Sequence, residues 1–136
     1  MLLLAGAAAD ELKWMTDLPK AQALAAKEKK LVLLNFTGSD WCGFCVKLDR
    51  EVFSTEKFAK YAKEKLVLVE VDFPSRKKLP SELAKANQAL KQKYSIRGFP
   101  TLLVLDGKGK EVGRKVGYGG DGTDALLATL EAARKS

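Results

Sequence analysis

The sequence contains no histidine, and only two cysteines, Cys42 and Cys45, among its 136 residues. A structural zinc site on that pair would need two carboxylates to complete it, an unusual donor set for zinc. Long apolar runs are missing too. The longest stretch at the start, Met1 to Ala9, would as a helix cover about 13 Å against about 30 Å of bilayer hydrocarbon, so it does not span a membrane. No repeat, linker or low-complexity segment divides the chain, and its length suits one domain with one core. At 46% hydrophobic and 30% charged residues, the composition is that of a soluble globular protein and excludes a disordered tail.

Acidic residues are outnumbered: 17 Asp and Glu face 24 Lys and Arg, a net charge of +7. Such an excess points to nucleic acid when the cations cluster beside aromatics that stack on bases. In this sequence they are dispersed over Lys27, Lys29 and Lys30, then Lys60, Lys63 and Lys65, then Arg76, Lys77 and Lys78. No aromatics are interleaved with them, so a solvated basic surface is expected and nucleic acid is not a partner. At the N-terminus, Leu2-Leu3-Leu4 followed by Ala7-Ala8-Ala9 has the pattern of a signal core ending in a small-residue cleavage site, although it lacks a charged start and full apolar length. Residues 1–9 are accordingly read as the remnant of an export signal. Residues 10–136 then form a single domain working in the periplasm or another exported compartment. An arbitrary chain start on a cytoplasmic protein is the competing reading.

Periodicity sets the architecture. Glu11 to Met15 predicts a short edge strand, and Asp17 before Leu18-Pro19 marks a helix start. The alanine-rich segment Pro19 to Lys29 is then helical, with Leu18, Ala21, Leu24 and Ala25 on one face. Leu31 to Phe36 and Leu66 to Val71 are nearly unbroken apolar runs, as central strands covered on both faces require. Helical stretches at about Cys42 to Phe53 and Thr55 to Lys65 lie between them, the latter with Phe58, Tyr61 and Ala62 inward. The middle of the chain is thus a β-α-β crossover joining parallel strands. Beyond the loop Asp72 to Pro80, Ser81 stands as the N-cap of a helix facing inward with Leu83, Ala86 and Leu90. Thr101 to Leu105 reads as a third strand, Asp106-Gly107-Lys108-Gly109 as a hairpin turn, and Glu111 to Val116 as a polar edge strand. Thr123 or Asp124 caps a last helix with Leu126, Leu127, Leu130 and Ala133 inward. The order is β-α-β-α-β-β-α, an α/β fold, with a strand and a helix in front.

The chemistry concentrates at Trp41-Cys42-Gly43-Phe44-Cys45. Two cysteines three apart, after a buried strand and opening a helix, are placed for redox work. Unpaired N–H groups and the positive dipole end at a helix start stabilise a thiolate. Cysteines in such motifs have pKa values of about 3.5–7.5, against about 8.5 for a free thiol. A Cys42 thiolate would attack a substrate disulfide, and Cys45, one turn inside, would release the mixed disulfide. Neither step needs a metal or organic cofactor. A structural disulfide is a plainer reading, but so short a loop stabilises by only ~1–2 kcal/mol. A soft Cu(I) site on the two thiolates is another.

The motif resembles the thioredoxin active site, with Phe44 where that family usually has proline. Ile96-Arg97-Gly98-Phe99-Pro100-Thr101 resembles the family's cis-proline segment, and Lys115-Val116-Gly117 the glycine-containing end of the following strand. The likeness runs from about Leu31 to the C-terminus. Thr37-Gly38-Ser39-Asp40-Trp41 and the longer Pro74–Lys93 segment look most like exported bacterial thioredoxin-like thiol–disulfide interchange proteins. The resemblance implies a thioredoxin fold, a central mixed sheet flanked by helices, and a protein disulfide oxidoreductase. It makes Cys42 the exposed nucleophile, Cys45 the resolving thiol, and Pro100 a cis residue facing Cys42. Trp41, Gly43, Phe44, Phe99 and Pro100 would contact the substrate, and Trp41, Phe99 and Tyr118 would form an apolar rim.

Asn35 falls where thioredoxins carry a buried aspartate, and an amide cannot take a proton from Cys45. Glu70 in the adjacent strand is a substitute acceptor if it points inward, and a surface carboxylate otherwise. The Gly-Phe dipeptide has neither the proline of reducing thioredoxins nor the histidine that favours oxidation, which leans the pair toward reduction. About 30 mV, or about 1.4 kcal/mol, separates such cases by tenfold in equilibrium. Expected partners are protein disulfides and a thiol donor or acceptor, and the expected state is a monomer. A Cu(I)- or partner-binding module with little turnover is the alternative from another class. Isomerase and glutathione chemistry fit less well, because no dimerisation module is present and Trp41 and Gly43 follow the thioredoxin pattern.

Overall fold

The structure, a computed structural model, describes residues 12–136; the expected export remnant at residues 1–9 lies outside the described residues. In chain order it contains β1 (Trp14–Met15), α1 (Leu18–Glu28), β2 (Leu31–Thr37), α2 (Gly43–Leu48), a π-helical turn (Asp49–Phe53), α3 (Glu56–Lys65), β3 (Leu66–Asp72), α4 (Ser81–Lys93), β4 (Thr101–Leu105), β5 (Glu111–Val116) and α5 (Gly122–Arg134). The five strands form one mixed sheet in the order β1-β3-β2-β4-β5. β2 and β3 run parallel in register from Leu31↔Leu66 to Thr37↔Asp72, while β4 is antiparallel to both β2 and β5. Among the described residues no helix is long and apolar enough to cross a membrane.

Alternation along the strands sorts side chains to two faces. Leu31 and Leu33 of β2, Leu66 and Leu68 of β3, and Leu102 and Val104 of β4 face α2, α3 and α5, meeting Leu48, Val52, Phe58, Leu126 and Leu130. Val32, Leu34 and Phe36, with Val67, Val69 and Val71, face Ala21 and Ala25 of α1. Both faces are therefore covered, which is why the two central strands show no polar alternation.

Caps explain several boundaries. Asp17 accepts the Lys20 amide at 3.0 Å to start α1, and Thr55 accepts the Phe58 amide at 3.2 Å to start α3. Other expectations need correction. Among the described residues the first strand is Trp14–Met15, shorter than the expected one, whose Glu11 lies outside the described residues. Leu24 of α1 is exposed, because the small Ala21 and Ala25 bring that helix close to the sheet along a narrower stripe. Ser81 is the first residue of α4 and Pro80 its N-cap, with no side-chain cap bond; Asp121 holds the same place before α5. On α4, Ala86 is exposed and Leu83 and Leu90 are half-buried. Its one buried residue is Asn87, whose amide donates to the Asp72 carbonyl at 3.0 Å. This helix is fastened by a polar bond where an apolar stripe was expected.

Leu34 is fully buried in the sheet, so Leu34→Ala should cost about 2–5 kcal/mol of stability through lost burial and a residual cavity. Leu90→Ala, on the half-buried face of α4, should cost clearly less. Equal shifts in the urea midpoint for the two variants would contradict this packing.

Candidate active site

The chain leaves β2 at Thr37 and turns at Gly38, where a Cβ would run into the Trp41 indole. Glycine is the residue that permits this approach. The Gly38 carbonyl accepts the Trp41 and Cys42 amides at 3.3 and 2.9 Å, closing the turn. Cys42 follows as the N-cap of α2 with extended backbone, φ −94° and ψ 105°. Its Sγ accepts the Cys45 amide at 3.2 Å, as a serine or aspartate oxygen would at another helix start. Cys42 and Cys45 are joined as a disulfide, with Cα atoms 5.2 Å apart. Every N–H that points at Cys42 Sγ favours a negative sulfur once the bond is reduced.

The two cysteines are 6% and 5% exposed, so the expectation of an exposed Cys42 is corrected. In the disulfide its sulfur is turned toward Cys45 and the helix start. What stands out instead is its surroundings. Trp41, Phe44 and Val46 are 49%, 63% and 45% exposed, three apolar side chains offered to solvent around a covered disulfide. Nothing lies within 4 Å of where a Gly43 Cβ would be, so that position is open.

Three loops are pinned together beside the motif. Asp40 accepts the amides of Ser75, Arg76 and Lys77 at 2.9, 2.8 and 3.1 Å. Those bonds, led by Ser75 and helped by the Arg76 charge, hold its carboxyl below the ordinary 3.8. In the other direction, buried Asp72 accepts the Ser39 amide and hydroxyl at 2.9 and 2.6 Å. The Trp41 indole donates to the Phe73 carbonyl at 2.7 Å. Its ring meets Phe99 edge-on at 5.7 Å, and Phe99 lies 5.3 Å from Phe73. Phe99 is half-buried and Pro100 buried; the bond between them is cis. The Pro100 carbonyl accepts the Gly117 amide at 2.8 Å, and Gly117 turns with φ +81°. Tyr118 does not join the rim: it is 6% exposed in the helical core, its hydroxyl donating to Glu51 at 2.6 Å.

Asn35 and Glu70 are register partners on adjacent parallel strands, and both share the parity of the residues facing α2. Asn35 is 9% exposed and its Oδ1 has no hydrogen-bond partner, a costly state for a buried amide. Glu70 is half-buried. Burial raises its carboxyl above the ordinary 4.5, the Asp72 charge adds to this with a smaller part from Asp49, and Lys77 opposes it. Of the residues singled out from sequence, Trp41, Cys42, Gly43, Phe44 and Cys45 lie on one continuous turn, and Trp41 is in contact with Phe99. Asp40, Asp72 and Phe73 were missed. A pair of carboxylates flanking the ends of two adjacent central strands was the available signal.

The model of the thioredoxin-like domain family matches residues 18–134. Disulfide bond reductase DsbH of Chlamydia pneumoniae is 36% identical over 130 residues, covering 94% of this chain and 76% of that protein. A solved structure of a DsbH oxidoreductase superposes with a TM-score of 0.84 at 35% identity, covering 91% of this chain and 85% of that one. A thioredoxin from Thermus thermophilus superposes at 0.65 with 24% identity, covering 88% and 85%, and shows the shared fold.

Because the Glu70 carboxyl lies above 4.5 in the folded chain, the folded state holds that proton to higher pH than the unfolded state does. The resulting penalty is absent below 4.5 and grows as pH rises through the folded value. Glu70→Gln should therefore stabilise the oxidised protein at neutral pH, with the gain fading below 4.5. Urea unfolding of both proteins across pH 4 to 8 checks this; a gain independent of pH would refute it.

Proposed function

The chain belongs to the thioredoxin-like domain family, and on that premise we propose that it is a thiol–disulfide oxidoreductase working as a reductant of protein disulfides. The observation that carries the reading is Cys42 Sγ acting as the cap of α2, 3.2 Å from the Cys45 amide and bonded to the cysteine one turn inside. The relative at 36% identity bears the name of a reductase, which supports the direction of electron flow.

In the reduced protein, the Cys42 thiolate attacks one sulfur of a substrate disulfide. A mixed disulfide forms and one substrate thiolate leaves. Cys45 then gives up its proton, and its sulfur attacks Cys42 Sγ, releasing the second substrate thiolate. The substrate gains two electrons and the protein ends in the Cys42–Cys45 disulfide seen here. A thiol donor must return those electrons before the next turn. Trp41, Gly43, Phe44, Phe99 and Pro100 bind the substrate segment around the attacking sulfur: the exposed Trp41 and Phe44 rings offer apolar surface, and open space above Gly43 admits a chain.

Proton handling falls to the sheet beneath. Asn35 takes no proton, so Glu70, its register partner, is assigned as the acceptor for Cys45. Its raised carboxyl lies closer to a thiol in proton affinity than an ordinary glutamate does. Residues 10–136 act as one domain in an exported compartment, a placement supported by the apolar and small-residue pattern of Met1 to Ala9.

Cys42→Ser should abolish insulin reduction in the presence of dithiothreitol, whereas Cys45→Ser should accumulate a mixed disulfide visible by mass spectrometry. Tight Cu(I) uptake with negligible turnover by the unaltered protein would overturn the enzyme reading in favour of a metal-holding module. Asn35→Asp should quicken the second step, resolution by Cys45. An unchanged rate in single-turnover quenching would remove any role for that position.

A further inference from the structure

The three loops beside Cys42 carry an excess of positive charge that folding places around an aromatic cluster. Trp41, Phe73 and Phe99 are in contact at 5.7 and 5.3 Å between ring centres. The loop that follows Phe73 bears Arg76, Lys77 and Lys78, and the loop before Phe99 bears Arg97; all four are exposed. This loop is not a loose basic tail. Its amides at Ser75, Arg76 and Lys77 are bonded to Asp40 two residues before Cys42, so the backbone that bears these charges is fastened beside the motif.

Asp40 accepts three amides and keeps its charge, and Asp72 is buried against Ser39, with Lys77 reaching it at 3.7 Å; Arg76, Lys77, Lys78 and Arg97 outnumber these two carboxylates. Lys78 and Arg97 form no ion pair with the described residues, and Arg76, whose charge acts on Asp40, comes within ion-pairing distance of no described carboxylate. Glu82, on the first turn of α4, is the next carboxylate along this segment. Cations beside an apolar rim that outnumber the neighbouring carboxylates attract anionic segments and steer their approach.

The geometry points to a substrate preference that rests on the oxidoreductase reading: the disulfides taken best lie in extended segments carrying Asp or Glu beside the cysteine. The apolar rim of Trp41 and Phe99 holds the segment next to its sulfur, and Arg76, Lys78 and Arg97 receive the flanking carboxylates. The preference acts on association, so it appears in the second-order rate and weakens with salt.

The test mixes pre-reduced protein with three synthetic peptides that share one disulfide-closed loop and differ only in Glu, Gln or Lys on either side of the cysteines. The second-order rate of single turnover is read. At low salt the Glu peptide should react about tenfold faster than the Lys peptide, with Gln between them, narrowing to about twofold in 0.5 M salt. The triple variant Arg76→Glu, Lys78→Glu, Arg97→Glu should reverse the order. Equal rates for all three peptides, or an order that survives high salt or the triple variant, would overturn the preference while leaving the oxidoreductase reading intact. Failure of every peptide to react would overturn that reading and the preference with it.

Discussion

A helix that opens directly after a central strand leaves its first amides without partners, and here a sulfur takes the place where an oxygen usually caps them. The 3.2 Å bond from the Cys45 amide to Cys42 Sγ joins local folding to chemistry. The backbone geometry that starts α2 is the geometry that aims a donor at the reactive atom. The spacing of two residues between the cysteines follows from the same turn, since the residue three after the cap is the one whose amide points back at it. Gly38, which lets the Trp41 indole pack against the turn, is part of that constraint.

Around this cap the protein builds rigidity from exchanged carboxylates. Asp40, ahead of the motif, holds the loop after β3, and Asp72, at the end of β3, holds the turn ahead of the motif. Each loop thus supplies the acceptor for the other's amides, which no apolar contact could do for backbone left without strand or helix partners. The same strand end fastens α4 through the Asn87 amide. One consequence is that the apolar surface near the cysteines is free to face outward: Trp41, Phe44 and Val46 are not needed in the core.

The sheet below the motif carries a polar pair where two apolar layers otherwise meet. Asn35 and Glu70 lie side by side on β2 and β3, with an orphaned amide oxygen and a carboxyl raised by burial. Natural cores tolerate such groups where their cost is offset by function. The ionisable member of the pair stands on β3, and β2 carries the amide.

Much of this was legible in one dimension. Strand runs at Leu31 and Leu66, the helix start at Asp17, the hairpin turn after Leu105 and the cysteine pair all depend on neighbours a few residues apart, where periodicity and capping chemistry act. The motif and the Phe99-Pro100 segment also carried the resemblance to thioredoxins. Elsewhere the deciding contacts join distant residues. Asn87 rather than Leu83 or Ala86 seats α4 because the Asp72 carbonyl happens to lie above it; Tyr118 enters the core because Glu51 accepts its hydroxyl; Arg76 and Lys78 stand beside an aromatic rim because Asp40 binds their loop. Sequence determined the elements and the reactive pair, since both are written in local spacing. Tertiary structure alone decided which polar groups meet and which loops flank the motif, because hydrogen bonds across 15 to 67 residues depend on where the sheet brings the loops.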